Sequence, residues 1–233
     1  MKPGIETIGR LPLFIGLESD MLDRLNAIGD VARFGPNDEI LPQNEVPQEI
    51  VLLLSGAIAS THNEPRQGSA VIDVLLPVSI VGCSAALLRK PAEHGARTIA
   101  PSRCILFPAA EFDHLLQGNA ELSRRLFNTY LRETTHLQKE LCALKLHSAA
   151  ERLAIYLLEL AEGRAEVPPR FVLPFEKRFL AGKIGCSQAN LSRAFAALRV
   201  AGVETRRDGV VLRDPLALRA FATGSTGTEW AYL

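Results

Sequence analysis

The stretch FEKRFLAGKIGCSQANLSRAFAALRVAGVETRRDGVV, Phe175 to Val211, decides how this chain is read. A short first helix is predicted through Phe175, Lys177, Arg178, Phe179, Leu180 and Ala181, with a turn at Lys183-Ile184-Gly185-Cys186. Gly185 ends that helix, because glycine enters the left-handed region without a β-carbon penalty. Ser187 stands at the N-cap of a second helix that opens with Gln188-Ala189-Asn190 and runs to about Val200. Leu191, Ala194, Phe195 and Leu198 recur at helical spacing and supply one apolar stripe. The opposite face carries Gln188, Asn190, Ser192, Arg193 and Arg199, side chains that can meet base edges or phosphates. Gly202 stops the helix. Val203 to Leu212 then reads as a hairpin with Asp208-Gly209 at its tip and Arg206 and Arg207 beside it. Helix, glycine turn, capped polar helix, glycine stop and basic hairpin together make a winged helix-turn-helix.

A helical hairpin followed by a β-hairpin need not touch DNA, and helix pairs with glycine turns are common. Charge separates the readings. Residues 168–221 hold ten Lys and Arg against four Asp and Glu, a net of +6, while the whole chain has 26 of each and so leaves the remainder at −6. A basic module inside a neutral protein is the electrostatic footprint of nucleic-acid binding.

Working outward, 233 residues suit one large domain or two small ones, and 47% hydrophobic with 22% charged residues is ordinary for a globular chain. No apolar run approaches the roughly 20 residues that cross a bilayer, and the N-terminus lacks a signal core, so the expectation is a cytoplasmic protein with no membrane partner. Cys83, Cys104, Cys142 and Cys186 show no CxxC pairing and are expected as reduced thiols, with no metal site.

Ahead of the winged helix, Leu11, Leu13, Phe14, Gly16 and Leu17 lead into a helix over Glu18 to Ile28. Short strands follow: Ile50 to Leu54, Ile58 to Thr61, Val71 to Leu76, Ser79 to Gly82 and Arg97 to Phe107, with turns at Phe34 to Asp38, Pro65 to Gly68, Pro77 and Pro91 to Gly95. Closely spaced short strands predict a flattened, jelly-roll-like β-roll. Helix returns at Glu111 to Leu116, breaks at Gly118, and runs from about Ala120 to Leu146. Along it Phe127, Tyr130, Thr134, Leu137, Leu141 and Leu144 alternate by three and four over three heptads, a dimer seam. A second apolar stripe, Leu126, Leu131 and Leu146, is expected to face the chain's own roll. A further helix, Ala149 to Ala161, and a polar connection, Gly163 to Arg170, complete the path. The fold class is α+β, with a sensor or effector β-roll over 1–118, a dimerisation helix over 119–147 and a DNA-binding winged helix over 148–233.

This order of parts resembles the CRP/FNR family of bacterial transcription regulators. The resemblance runs from Leu11 to about Phe221. At the front it rests on Leu13-Phe14-Ile15-Gly16-Leu17, on Gly35-Pro36-Asn37-Asp38-Glu39-Ile40 and on Leu53-Leu54-Ser55-Gly56. At the back it rests on Leu180-Ala181-Gly182-Lys183-Ile184-Gly185-Cys186-Ser187 and Asn190-Leu191-Ser192-Arg193-Ala194-Phe195. It implies a homodimer on double-stranded DNA at an inverted-repeat site, with RNA polymerase as protein partner and no enzymatic activity. It also implies that Arg193 reads guanine. Ser187, Gln188, Asn190 and Ser192 are expected to share the base edges and phosphates, and Lys177, Arg178, Arg206 and Arg207 to serve the backbone. Ala189 replaces a family glutamate that accepts from cytosine, so the target sequence departs from the usual one.

In cyclic-nucleotide-binding relatives a glycine-glutamate pair and a later Arg-Ser-Ala grip ribose and phosphate. Here Gly82, Cys83 and Ser84, then His94, Gly95 and Ala96, occupy that stretch, with Arg89 and Arg97 nearby. The expected effector pocket is therefore Gly82, Cys83, Ser84, Arg89, His94 and Arg97, and cyclic AMP is not its ligand, since no guanidinium stands at the phosphate position. An iron-sulfur cluster is set aside as well, because the first cysteine is Cys83. Haem stays open as an alternative, with His62, His94, His114, His136, His147 and Cys83 as candidate ligands. So does redox sensing at Cys83, which needs a lowered pKa and solvent access. Cys83 to Arg89 also fits the C-x5-R spacing of cysteine phosphatases, but Ser-Ala-Ala-Leu-Leu lacks the glycines of a phosphate loop and suits a short core helix better.

Overall fold

The computed structural model describes residues 1–66, 68–162, 164, 168–173, 175–206 and 209–223. The chain divides into two compact units, Met1–His136 and Leu137–Leu233.

The first unit opens with helices α1 (Ile5–Gly9) and α2 (Ser19–Ile28) and continues through strands β1 (Asp30–Phe34), β2 (Glu39–Leu41), β3 (Glu49–Ser55), β4 (Ile58–Glu64), β5 (Gly68–Leu75) and β6 (Ser79–Val81). Helix α3 (Cys83–Leu88), strands β7 (Gly95–Thr98) and β8 (Ser102–Pro108) and helix α4 (Ala109–Gly118) follow, and then the long helix α5 (Ala120–Leu146). The strands form two four-stranded antiparallel sheets, β1-β8-β3-β6 and β2-β7-β4-β5.

Strand β3 explains the unbroken apolar run that marks it in the sequence. Its side chains alternate between two faces, and both are buried. Ile50 and Leu52 join Phe14, Phe107, Phe112 and Leu122 in one core, while Val51 and Leu53 join Ile58, Val81, Ala96 and Cys104 in a second. Phe107 packs edge-on against Phe14, 6.0 Å between centroids, and tilted against Phe112 at 5.3 Å.

The single strand expected over Arg97 to Phe107 is two strands in different sheets. Strand β7 lies against β2 and β4, whereas β8 lies between β1 and β3. Between them the ladder breaks at Ile99–Pro101, where proline offers no N–H to a ladder. The Ile99 N–H instead donates to the Ala57 carbonyl at 2.9 Å. Strands β1 and β2 and helix α1 were not anticipated, because their half-exposed, charged sequences give no clear period.

Helix α5 has the ends read from the sequence. Its inward stripe is shorter than expected. Leu122 and Leu126 are buried and Tyr130 packs against the same core, but Leu131 and Leu146 are exposed, which corrects their inward placement. Within the first unit the helix packs through Leu122, Leu126 and Tyr130. Phe127, Thr134, Leu137, Leu141 and Leu144 are exposed on the monomer.

The second unit builds on α6 (Ala149–Ala161), which opens with a capping box: Ser148 and Glu151 satisfy each other's backbone N–H groups at 3.3 and 2.7 Å. Strand β9 (Arg170–Phe171), helices α7 (Lys177–Ile184) and α8 (Gln188–Leu198), a 3₁₀ turn (Arg199–Ala201) and strands β10 (Val203–Arg206) and β11 (Gly209–Leu212) follow. Helix α9 (Pro215–Ala222), capped by the Asp214 carboxylate on the Ala217 N–H at 2.9 Å, comes last. The three strands pair in the order β10-β11-β9, and α6 lies against α7, α8 and α9. In the connection Gly163 to Arg170, Gly163 and residues 165–167 lie outside the described residues, as do Arg207 and Asp208 at the expected hairpin tip.

Candidate nucleic-acid interface

Helix α7 begins two residues later than the sequence suggests and includes Lys183 and Ile184, so the turn is confined to Gly185 and Cys186. Gly185 adopts φ 69° and ψ 46°, and a Cβ there would stand 2.6 Å from a methyl carbon of Leu144. Ser187 Oγ accepts from the Asn190 N–H at 3.2 Å and caps α8. Leu191, Ala194, Phe195 and Leu198 are buried against the unit, and Gln188, Asn190, Ser192, Arg193 and Arg199 are exposed. A helix packed by one stripe and polar on the other is the shape that enters a major groove, with its N-terminal residues nearest the base edges.

The exposed face has internal order. Arg193 Nη1 donates to Asn190 Oδ1 at 3.2 Å, one turn back, and Ser192 Oγ donates to the Gln188 carbonyl at 3.1 Å. These contacts hold the Arg193 guanidinium beside an amide that itself can read adenine. Lys177 lies 6.0 Å from the Phe195 ring centroid; Arg178 lies 4.7 Å from that of Phe179 and pairs with Glu176 at 3.1 Å. On the hairpin, Arg206 and Arg213 both bind the Glu204 carboxylate, at 3.0 and 2.9 Å, and hold its pKa below the usual range. Arg206 therefore approaches any phosphate with part of its charge already answered. Arg213 was not singled out in the sequence, where nothing distinguishes it from other surface arginines.

A second residue missed by the sequence reading holds the turn. Arg152 of α6 donates from Nε to the Ile184 carbonyl at 2.8 Å, from Nη2 to the Gly185 carbonyl at 3.2 Å and from Nη1 to the His147 carbonyl at 2.5 Å. One guanidinium thus satisfies orphan carbonyls at the ends of α7 and α5. Lys183 adds an ion pair from α7 to Glu140 of α5. Both fix the angle at which α8 is presented.

In the first unit the residues of the expected effector stretch are divided among several partners, with Cys83 and Ser84 both beside Tyr130. Gly82 is left-handed, φ 76°, and opens α3. Cys83 is 1% exposed. Burial pushes its thiol up to about 11, against a partial lowering by a hydrogen bond with Tyr130. Tyr130 is itself pushed up, by burial first and Cys83 next. Glu133 is raised by burial and by the nearby Asp73 carboxylate. His94 lies against His62, Arg97 Nη1 donates to Asn37 Oδ1 at 3.1 Å, and Ser84 and Arg89 are exposed. A neutral, buried thiol is the reverse of an activated nucleophile or redox sensor.

The two units match two different families of domain. The model for the Crp-like helix-turn-helix domain matches residues 151–221, and that for the cyclic nucleotide-binding domain matches residues 31–119. The chain is 22% identical over 213 residues to the nitrogen fixation regulation protein FixK of Bradyrhizobium diazoefficiens, covering 88% of this chain and 87% of that one. The chain belongs to the CRP/FNR family of transcription regulators. Solved structures agree with that fold. FixK2 of Bradyrhizobium japonicum superposes with a TM-score of 0.72 at 20% identity, over 82% of this chain and 96% of that one. A protein of Silicibacter pomeroyi DSS-3, assigned as a cAMP-binding regulatory protein, gives 0.68 at 25% identity over 94% and 98%. As a member of the CRP/FNR family the chain is a DNA-binding transcription regulator with a cyclic-nucleotide-binding-like domain. Among the described residues no helix is long and apolar enough to cross a membrane.

Proposed function

We propose that this protein works as a cytoplasmic homodimer that recognises an inverted-repeat DNA site through two copies of α8 and recruits or blocks RNA polymerase there. The division of labour is an effector roll over 1–118, a dimer helix over 119–147 and a reading head over 148–233. The observation that carries the reading is the Ser187-capped helix whose exposed face offers Gln188, Asn190, Ser192 and Arg193 together. Arg193 reads guanine, the other three share base edges and phosphates, and Lys177, Arg178, Arg206 and Arg207 neutralise phosphate charge. Two such helices on a twofold axis suit half-sites about 34 Å apart. Gel-shift and footprinting on genomic fragments test this directly. A protected site with two half-sites one helical turn apart supports it, and absence of a sequence-dependent shift at any salt overturns it.

Cyclic AMP is not the effector in this reading. The Silicibacter pomeroyi relative is assigned that ligand, but here Cys83 and His94 fill the positions of the ribose-binding glutamate and phosphate-binding arginine. Burial and the nearby Asp73 carboxylate raise the pKa of Glu133, and acidic groups in this part of the unit oppose an added phosphate charge. Calorimetric titration with cyclic AMP is expected to show no saturable heat, and micromolar affinity would overturn the assignment. Burial pushes the Cys83 thiol up to about 11 and so disfavours the thiolate that a catalytic role would need. An absorption spectrum of the purified protein tests the haem alternative, for which a Soret band is the sign.

A further inference from the structure

Two imidazoles of the β-unit meet in a way that neither DNA recognition nor the roll explains. Strands β4 and β7 pair with Thr61 opposite Gly95, so His62 and His94 are the next cross-strand neighbours beyond the end of that ladder. Their Nδ1 atoms lie 3.3 Å apart, their ring centroids 5.3 Å apart, and the rings stand at 82°. His62 Nδ1 also lies 3.1 Å from the Glu93 carbonyl oxygen and 3.1 Å from Gln43 Nε2. The Gln43 amide is oriented by its other end, where Oε1 accepts from the Asn63 N–H at 2.8 Å, so a donor N–H faces His62.

One ring nitrogen cannot suit all three neighbours. If bare, it accepts from Gln43 and turns a lone pair on the Glu93 oxygen. If protonated, it can donate to Glu93 or to His94, and meets the Gln43 N–H head-on. Either tautomer leaves a polar contact mismatched in a half-buried place. A cation between the two rings removes the conflict, because both Nδ1 atoms, and the Glu93 oxygen 3.1 Å from that of His62, can then all serve as lone-pair donors.

We propose that His62 and His94 hold a divalent transition-metal ion of the zinc class through Nδ1 of both rings, with the Glu93 carbonyl and water completing the shell. The spacing fits. Two nitrogens at 2.0–2.1 Å from a tetrahedral ion stand about 3.3 Å apart, and rings bound that way have centroids about 5.2 Å apart. Both match the observed pair with the rings as they stand. Imidazole selects zinc, nickel, cobalt or copper over magnesium and calcium. Among the described residues no three His, Cys, Asp or Glu side chains converge on one point. The site is therefore a two-imidazole one that keeps open positions, suited to a reversibly bound ion. Gln43 then donates to metal-bound water or to the Asn63 carbonyl, already 3.4 Å from its Nε2, as an outer-shell partner.

The test uses the full chain without an affinity tag. Co²⁺ is titrated while its visible absorption is followed, and Zn²⁺ is then added as competitor. One saturable equivalent per chain is expected, displaced by Zn²⁺. His62→Ala and His94→Ala should each weaken it by at least about tenfold, the loss that even outer-shell changes reach. His114→Ala, on the exposed face of α4, should leave it unchanged. Circular dichroism and DNA binding report whether each variant is folded. On the unaltered chain, imidazole NMR signals of His62 and His94 should shift together with Zn²⁺. Absence of saturable binding, full affinity in folded His62→Ala or His94→Ala, or a shift confined to other histidines would each overturn the proposal.

Discussion

Replacing Leu137 and Leu141 with aspartate should dissolve the dimer while leaving the monomer folded. These side chains are 50% and 53% exposed on a single chain, and neither belongs to a buried core. Each therefore offers about 100 Å² of apolar surface, and covering it contributes about 2.5 kcal/mol at about 25 cal/mol per Å². Two residues on each of two helices make about 10 kcal/mol of association energy, comparable with the 4–15 kcal/mol or more that association costs in lost freedom. Four carboxylates brought into the seam add a desolvation penalty in the same direction. Sedimentation velocity at micromolar concentration should show the unaltered chain as a dimer and the double variant as a monomer. The thermal midpoint should change by no more than the loss of subunit linkage explains. Binding to an inverted repeat should collapse with the dimer. An unchanged sedimentation coefficient for a folded double variant would refute the seam, and would assign Phe127, Leu137, Leu141 and Leu144 to some other partner.

Arg152→Ala should leave the Ile184, Gly185 and His147 carbonyls without their shared donor and cost about 1–3 kcal/mol of stability in the second unit. DNA affinity should fall with it because the guanidinium holds the turn ahead of α8, and Arg152→Lys should restore only part, since an ammonium lacks the fork; denaturant melts and gel-shifts on both variants check this. Cys83 and Cys104 both have thiols raised by burial from 9.0 to about 11, so the fold favours their neutral forms. That contribution is complete below pH 9 and is lost as pH rises towards 11, up to about 2–3 kcal/mol for each thiol. Urea midpoints should therefore fall across pH 9–11, and less steeply in the Cys83→Ala and Cys104→Ala variants.

Where local chemistry decides a structure, the sequence is legible. The cap at Ser187, the left-handed Gly185 and Gly202, and the stripe Leu191, Ala194, Phe195 and Leu198 each follow from neighbours in the chain, and each stands where the residues imply. The span of helix α5 is equally legible, because Phe127 to Leu144 carry one heptad period within it. Leu131 and Leu146 lie about 140° and about 160° round the helix from Leu126, so they face away from the core that Leu126 enters, and grouping them as one stripe is an error of helical phase. What else fails depends on groups brought together from afar. Arg97 to Phe107 reads as one strand when its apolar residues on either side of Pro101-Ser102-Arg103 are joined, while Pro101 divides it between sheets. Arg152 is one arginine among many until the ends of α5 and α7 place three carbonyls round it. His62 and His94 are 32 residues apart and meet only because β4 and β7 pair.

The central claim is that α8 reads base sequence, and Arg193 tests it most directly. Its guanidinium is exposed and steadied by Asn190 at 3.2 Å. A bidentate contact from it to guanine O6 and N7 is worth about 1–3 kcal/mol of discrimination in each half-site. Binding-site selection from random duplexes should therefore yield an inverted repeat with a fixed guanine for the unaltered chain. Arg193→Ala should select the same repeat with that one guanine relaxed in both halves. Arg207→Ala should weaken binding to all sequences alike and flatten the salt dependence. A folded Arg193→Ala protein that still selects the full site, guanine included, would contradict the assignment of α8 as the recognition helix.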